Sequence, residues 1–162
     1  MPGVYLSPAN RLALQSLRDV ISLNLSYGGI YIVVADPNTA ETISEELRKQ
    51  FSVYGLDLSA STDALTLISE MRGNGKLKTD DLVAIKSHSL SQEDLIRLLN
   101  SLNVRRELIA EKKISLLLFV DNEGLSSIPL HAKDFWSFRT EVNRNSYIKR
   151  QKKYKKPLKR QN

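Results

Sequence analysis

A three-layer α/β domain, with a parallel sheet of about four to five strands flanked by helices, is the fold this sequence predicts. Three observations point to it. Residues 30–36 (Ile30-Tyr31-Ile32-Val33-Val34-Ala35-Asp36) and 114–120 are near-continuous apolar runs without alternation, the pattern of strands covered on both faces. Stretches of helical periodicity separate these runs from a third, Leu82-Val83-Ala84-Ile85. The alternation of strand and helix along the chain then favours a parallel sheet wrapped by helices.

Each element has a local reason. Ser7-Pro8 opens a helix, with Ser7 as N-cap and Pro8 in the first turn, and Leu12, Leu14, Leu17, Val20, Ile21 and Leu25 recur at roughly helical spacing. Tyr27-Gly28-Gly29 ends it and leads into the first strand. Residues 39–50 read as a second helix, with Ile43 and Leu47 inward, Glu45, Glu46, Arg48 and Lys49 outward, and Glu45 and Lys49 at pairing distance. Residues 53–59 alternate weakly, as in a short strand. Thr62-Asp63 caps a helix through Met71 with Leu65, Ile68 and Met71 on its inner face, and Gly73-Asn74-Gly75-Lys76 is a surface turn. After the strand at 82–85, Ser91 starts a helical stretch to about residue 112, kinked near 100–103. The stretch 124–138 is mixed, broken by Pro129, and carries the aromatic group Phe135, Trp136 and Phe138.

Composition narrows the function classes. The chain has 162 residues, 41% hydrophobic and 26% charged, as in an ordinary folded domain. No apolar run is long enough to span a bilayer, and the N-terminus lacks the pattern of a secretion signal. There are no cysteines, which excludes disulfides, thiolate metal ligands and thiol catalysis. A cytoplasmic setting is expected. The net charge of +6 is unevenly spread. Residues 137–162 hold ten Lys or Arg against Glu141 alone, so this stretch carries +9 and the rest of the chain −3. The sequence therefore divides into an α/β domain at 1–145 and a basic tail at 146–162, expected to be frayed in isolation because apolar residues nearly vanish there.

The turn after the first strand is where nucleotide-binding α/β proteins carry a phosphate loop. Here it reads Asp36-Pro37-Asn38-Thr39, with no glycine and no lysine. A phosphate needs converging N–H groups and a cation, and Asp36 repels it. Gly73-Asn74-Gly75-Lys76 lacks the phosphate-loop spacing and does not follow a strand. His88 and His131 stand far apart and make no zinc motif. Ser87, His88 and Ser89 follow a strand end, where parallel sheets place ligands, but a Ser–His pair still needs an orienting acid and an oxyanion hole. The remaining route to catalysis is a magnesium site built from Asp36, Asp121 or Glu123, with Lys86 as the available cation.

Two segments carry a family resemblance. One is Ser101-Leu102-Asn103-Val104-Arg105-Arg106-Glu107-Leu108-Ile109. The other is the strand Leu116-Leu117-Leu118-Phe119-Val120, followed by Ala132-Lys133-Asp134-Phe135-Trp136-Ser137-Phe138-Arg139. Together they resemble the AAA-like domains of bacterial signal-transduction NTPases with numerous domains, many joined to tetratricopeptide repeats. The resemblance covers roughly residues 12–140 and implies a P-loop-NTPase-like fold without the phosphate loop. In competent members the third strand ends in acids that hold magnesium. Here it ends in Lys86-Ser87-His88, and the resemblance places the strand before Asp121 and Glu123 in the sensor position instead. It implies a degenerate relative in which Phe135, Trp136 and Phe138 close the core. Arg105 and Arg106 form a solvated face beside Glu107 or Asp94.

The basic tail is the remaining functional signal. Lys149, Arg150, Lys152, Lys153, Lys155, Lys156, Lys159 and Arg160 can neutralise phosphates and release counterions, and Tyr147 and Tyr154 can stack on unpaired bases. The expectation is a non-catalytic adaptor with no cofactor and no metal. It would dock on a protein partner and contact DNA or RNA through the tail. The alternatives are a structural subunit without a nucleic-acid role and a divergent Mg-dependent NTPase.

Overall fold

The computed structural model describes residues 6–58, 63–131 and 141–144. Five strands form one parallel sheet in the order β2-β3-β4-β1-β5: β1 (Gly29–Val34), β2 (Val53–Gly55), β3 (Leu82–Lys86), β4 (Ser115–Val120) and β5 (Glu141–Arg144). β4 lies in the middle, and β1 is interior between β4 and β5, with Ile30 opposite Leu116 of β4 and Tyr31 opposite Glu141 of β5. Among the described residues six α-helices complete the layers: α1 (Pro8–Asn24), α2 (Pro37–Leu47), α3 (Ala64–Gly73), α4 (Gln92–Val104), α5 (Arg106–Glu111) and α6 (Asn122–His131).

The two-residue repeat of a strand sorts the core into two halves. Ile30, Ile32 and Val34 of β1 join Leu116, Leu118 and Val120 of β4 under α3, α4, α5 and α6. Tyr31, Val33, Leu117 and Phe119 point the other way, onto Leu14, Leu17 and Ile21 of α1 and Ala40, Ile43 and Leu47 of α2. Both central strands are thus covered on two faces, which is why their sequences run apolar without alternation. The connection from β1 crosses to the far edge by α2 on one face. The connections back, through α3, α4 with α5, and α6, run on the other. All four crossovers therefore share one hand, as parallel units require.

The capping residues act as the sequence predicts. Ser7, Asp63 and Ser91 accept the amides of Asn10, Thr66 and Asp94, satisfying N–H groups that have no partner within the helix. Gly28 has φ +85, and a Cβ there would stand 2.7 Å from the Lys113 carbonyl carbon. Only glycine fits where α1 turns into β1 against the segment entering β4.

Four expectations need correction, and one element carries no signal in the sequence. Leu12 is exposed rather than in the core, because it lies about 200° around the helix from Leu14. Lys49 pairs with Glu46 at 3.0 Å, not with Glu45, since Glu46 is also held by Arg18 at 3.2 Å. The break in the 91–112 stretch falls at Arg105, where α4 ends and α5 begins. Pro129 lies inside α6 instead of ending it; the ring removes one helical N–H only two residues before the helix stops. Residues 141–144, with no strand signature, add a fifth strand beside β1. Among the described residues no helix is long and apolar enough to cross a membrane.

Candidate functional site

In an open parallel sheet, ligands bind outside the carboxyl ends of strands at the point where the connections diverge to opposite faces. Here that point lies between β1, which leaves by α2, and its neighbour β4, which leaves by α6. The segments converging there are Asp36-Pro37 after β1, Ser87-His88 after β3 and Asp121-Asn122-Glu123 after β4.

The β1 turn is closed by its own side chain. Asp36 is the N-cap of α2, and its Oδ1 accepts the Thr39 amide at 2.7 Å. The Ala40 amide bonds the Asp36 carbonyl at 2.8 Å, and Pro37 has no N–H to offer. Of the four amide positions without an intrahelical partner, residues 36–39, the Thr39 amide is taken and Pro37 has none, which leaves those of Asp36 and Asn38. A carboxylate occupies the place where a phosphate would be received.

Asp121 has an equivalent role at α6. Its Oδ1 accepts the Gly124 amide at 2.7 Å, and its carbonyl accepts that of Leu125 at 2.9 Å. Gly124 lets the helix begin close to β4, since a Cβ there would lie 3.0 Å from that of Val120. Asp121 and Glu123 are both exposed, and among the described residues no three Asp, Glu or His side chains gather as a metal would need. Lys86 does not reach the β1 turn. Its ammonium pairs with Glu41, one turn into α2, and that hydrogen bond is the main reason the Glu41 carboxyl is held below the usual carboxylate range. The structure therefore does not bring Asp36, Asp121, Glu123 and Lys86 together as one catalytic group.

Ser87 and His88 are committed to the backbone. The Ser87 hydroxyl donates to the Phe119 carbonyl at 2.9 Å. His88 Nε2 lies 2.7 Å from the Ala35 carbonyl; a carbonyl only accepts, so Nε2 donates. Nδ1 is buried and has no partner. The imidazole thus reaches across β4 to the end of β1, and together the two side chains tie the turn after β3 to both neighbouring strands. They do not face each other as a catalytic pair. Beside them is a crevice of about 120 Å³ lined by Ser87, His88, Gln92, Asp121 and Glu123.

Of the two arginines of the Ser101–Ile109 segment, Arg105 pairs elsewhere than with Glu107 or Asp94. Arg105 bonds Asp63 at 3.0 Å and the Thr66 hydroxyl at 2.5 Å, fastening the start of α3 to the junction of α4 and α5. Asp94 is taken by Arg97 at 2.6 Å, and Arg106 donates to the Asn103 carbonyl at 3.0 Å. Gly73-Asn74-Gly75-Lys76 is an exposed turn, with Gly75 at φ +84.

A second cleft, of about 250 Å³, opens between α2 and the carboxyl ends of β2 and β3. Ser44 and Arg48 reach it from α2, and Lys86 and Ser89 from the end of β3. Sequence reading passed over Ser44. The available signal was a small hydroxyl residue beside Ala40, Ile43 and Leu47 on the inner face of α2, one turn before an arginine. The tail residues Lys149, Arg150, Lys152, Lys153, Tyr154, Lys155, Lys156, Lys159 and Arg160 lie outside the described residues. So do Tyr147, Phe135, Trp136 and Phe138, Thr62, and the side chain of His131.

No protein-family model matches the chain, and no curated protein sequence matches it. The solved structure of PCH-2 from C. elegans is similar in backbone, with a TM-score of 0.47 and 11% sequence identity. The match covers 88% of this chain and 44% of that one, so this chain spans less than half the length of that protein.

Proposed function

We propose that this chain is a non-catalytic adaptor: an AAA-like α/β domain without nucleotide chemistry that docks on a protein partner and contacts nucleic acid through its basic C-terminal tail, in a cytoplasmic setting. The observation that carries the first part is the Asp36 carboxylate on the Thr39 amide, which puts a fixed negative charge at the one helix end a nucleotide phosphate would use. Lys86, held by Glu41, offers that turn no compensating cation.

Support for a protein partner comes from α1. Leu12 and Leu23 lie eleven residues apart and thus on one side of the helix, 73% and 76% exposed, and Tyr27, in the turn just past the end of α1, is 71% exposed. Apolar residues aligned on the outer side of a helix are the raw material of an interface. Support for nucleic acid comes from the charge distribution, +9 in residues 137–162 on a chain that is otherwise mildly acidic. Binding of this kind is sequence-independent and falls steeply with salt.

The test is fluorescence anisotropy with labelled single- and double-stranded DNA and RNA over a salt series, using the full chain and a truncation after Asn145. The expected result is salt-steep binding that truncation removes. Binding unchanged by the truncation would overturn the tail's role.

A further inference from the structure

We propose that the cleft between α2 and the ends of β2 and β3 is a binding site for a small oxyanion, a phosphate or carboxylate carried on a compact organic body. This site is separate from the β1 turn and does not depend on the adaptor reading. Ser44 is fully buried, lines the cleft, and its hydroxyl has no hydrogen-bond partner in the protein. An unmade bond of that kind is unfavourable inside a protein, so the position calls for a group from outside the chain. A single water fills only ~30 Å³, far less than the cleft's volume of about 250 Å³.

The charges decide the sign. Arg48 stands one turn beyond Ser44, exposed, and no carboxylate lies within ion-pair distance of it among the described residues. Lys86 lies on the opposite wall, and its partner Glu41 is on α2, three residues before Ser44. Both cations act on Glu41: the Lys86 hydrogen bond and charge and, more weakly, the Arg48 charge favour its ionised form. Lys86 is already neutralised by Glu41, so among the described residues Arg48 is the cation left on this lining to meet an oxyanion. Among the described residues Asp57 is the one carboxylate on the lining, which disfavours a bare polyanion and suits a ligand with one anionic end. Leu56, Leu58 and Leu90 supply an apolar wall for the rest of the molecule.

The experiment is amide NMR of the full chain titrated with inorganic phosphate, glycerol 3-phosphate and succinate, against sodium chloride at matched ionic strength. The expected result is saturable shifts at Gly55, Leu56 and Ser89 with at least one of the three probes. Arg48→Ala should weaken that binding about tenfold or more. Ser44→Ala should weaken it while leaving the melting temperature unchanged or raised, because it removes an unpaired hydroxyl. Preference for glycerol 3-phosphate over inorganic phosphate would mean that the organic body is read; equal binding would mean that the oxyanion alone is. Shifts confined to residues 146–162, shifts matched by chloride, or binding indifferent to Arg48→Ala would overturn the proposal. Arg48 is on the surface, so its variant is expected to fold, and the melting temperature verifies this.

Discussion

The carboxylate of Asp36 accepts the amide of Thr39 at 2.7 Å, so the helix that follows β1 is capped by the residue that also bars an anion from it. One side chain meets two requirements. It satisfies a main-chain donor at the start of α2, and it sets the charge of the turn at the sheet's binding crevice. The neighbouring Pro37 suits the first helical turn and withholds a further N–H.

Replacing Asp36 separates these roles. Asp36→Ala should cost about 1 kcal/mol of stability through loss of the cap, seen as a fall of about 2–4 °C in melting temperature for a domain of this size. Asp36→Asn retains the acceptor and should keep most of that stability. Thermal unfolding of the two variants checks this, and equal losses would show that charge rather than capping is what α2 needs.

Tyr31 lies at the centre of the sheet, fully buried, with an unpartnered hydroxyl. Burial raises its pKa from 10.0 to about 12. Above pH 10 the unfolded chain loses this proton while the folded one keeps it, so the stability is complete below about pH 10 and is lost as pH rises towards 12. Tyr31→Phe should be neutral or stabilising at pH 7, because it removes an unsatisfied group. It should also flatten the alkaline decline. Chemical denaturation of both proteins between pH 8 and 11 measures the difference.

Arg105 and Asp63 join segments 42 residues apart in sequence. Their side chains are 35% and 49% exposed, so solvent screening limits the pair to about 0.5–1 kcal/mol. A double-mutant cycle with Arg105→Ala and Asp63→Asn should return a coupling of that order that shrinks with salt.

The fold was legible because its signals are local. Unalternating runs marked β1 and β4 as buried on both faces, and Ser7, Asp63 and Ser91 announced helix starts. What escaped depends on the assembled sheet. Residues 141–144 are a strand only because β1 offers them an edge to pair with; nothing in Glu-Val-Asn-Arg alternates. Asp36 was read as a charge hostile to phosphate, but its bond to Thr39 needed the geometry of the turn. The reach of His88 over β4 to Ala35 depends on strand order, and so does the meeting of Ser44 and Arg48 with Lys86 around one cleft. Spacing along a chain reports helix neighbours, not partners brought together by crossovers.

The most direct measurement is amide NMR of the full chain titrated with ATP and magnesium, which separates binding at the β1 turn from attraction to the basic tail. The account predicts unmoved amides at Asn38, Thr39 and Ala40, with any shifts confined elsewhere. Saturable shifts at those three residues, abolished by Asp121→Asn, would contradict it and restore a nucleotide site at the end of β1.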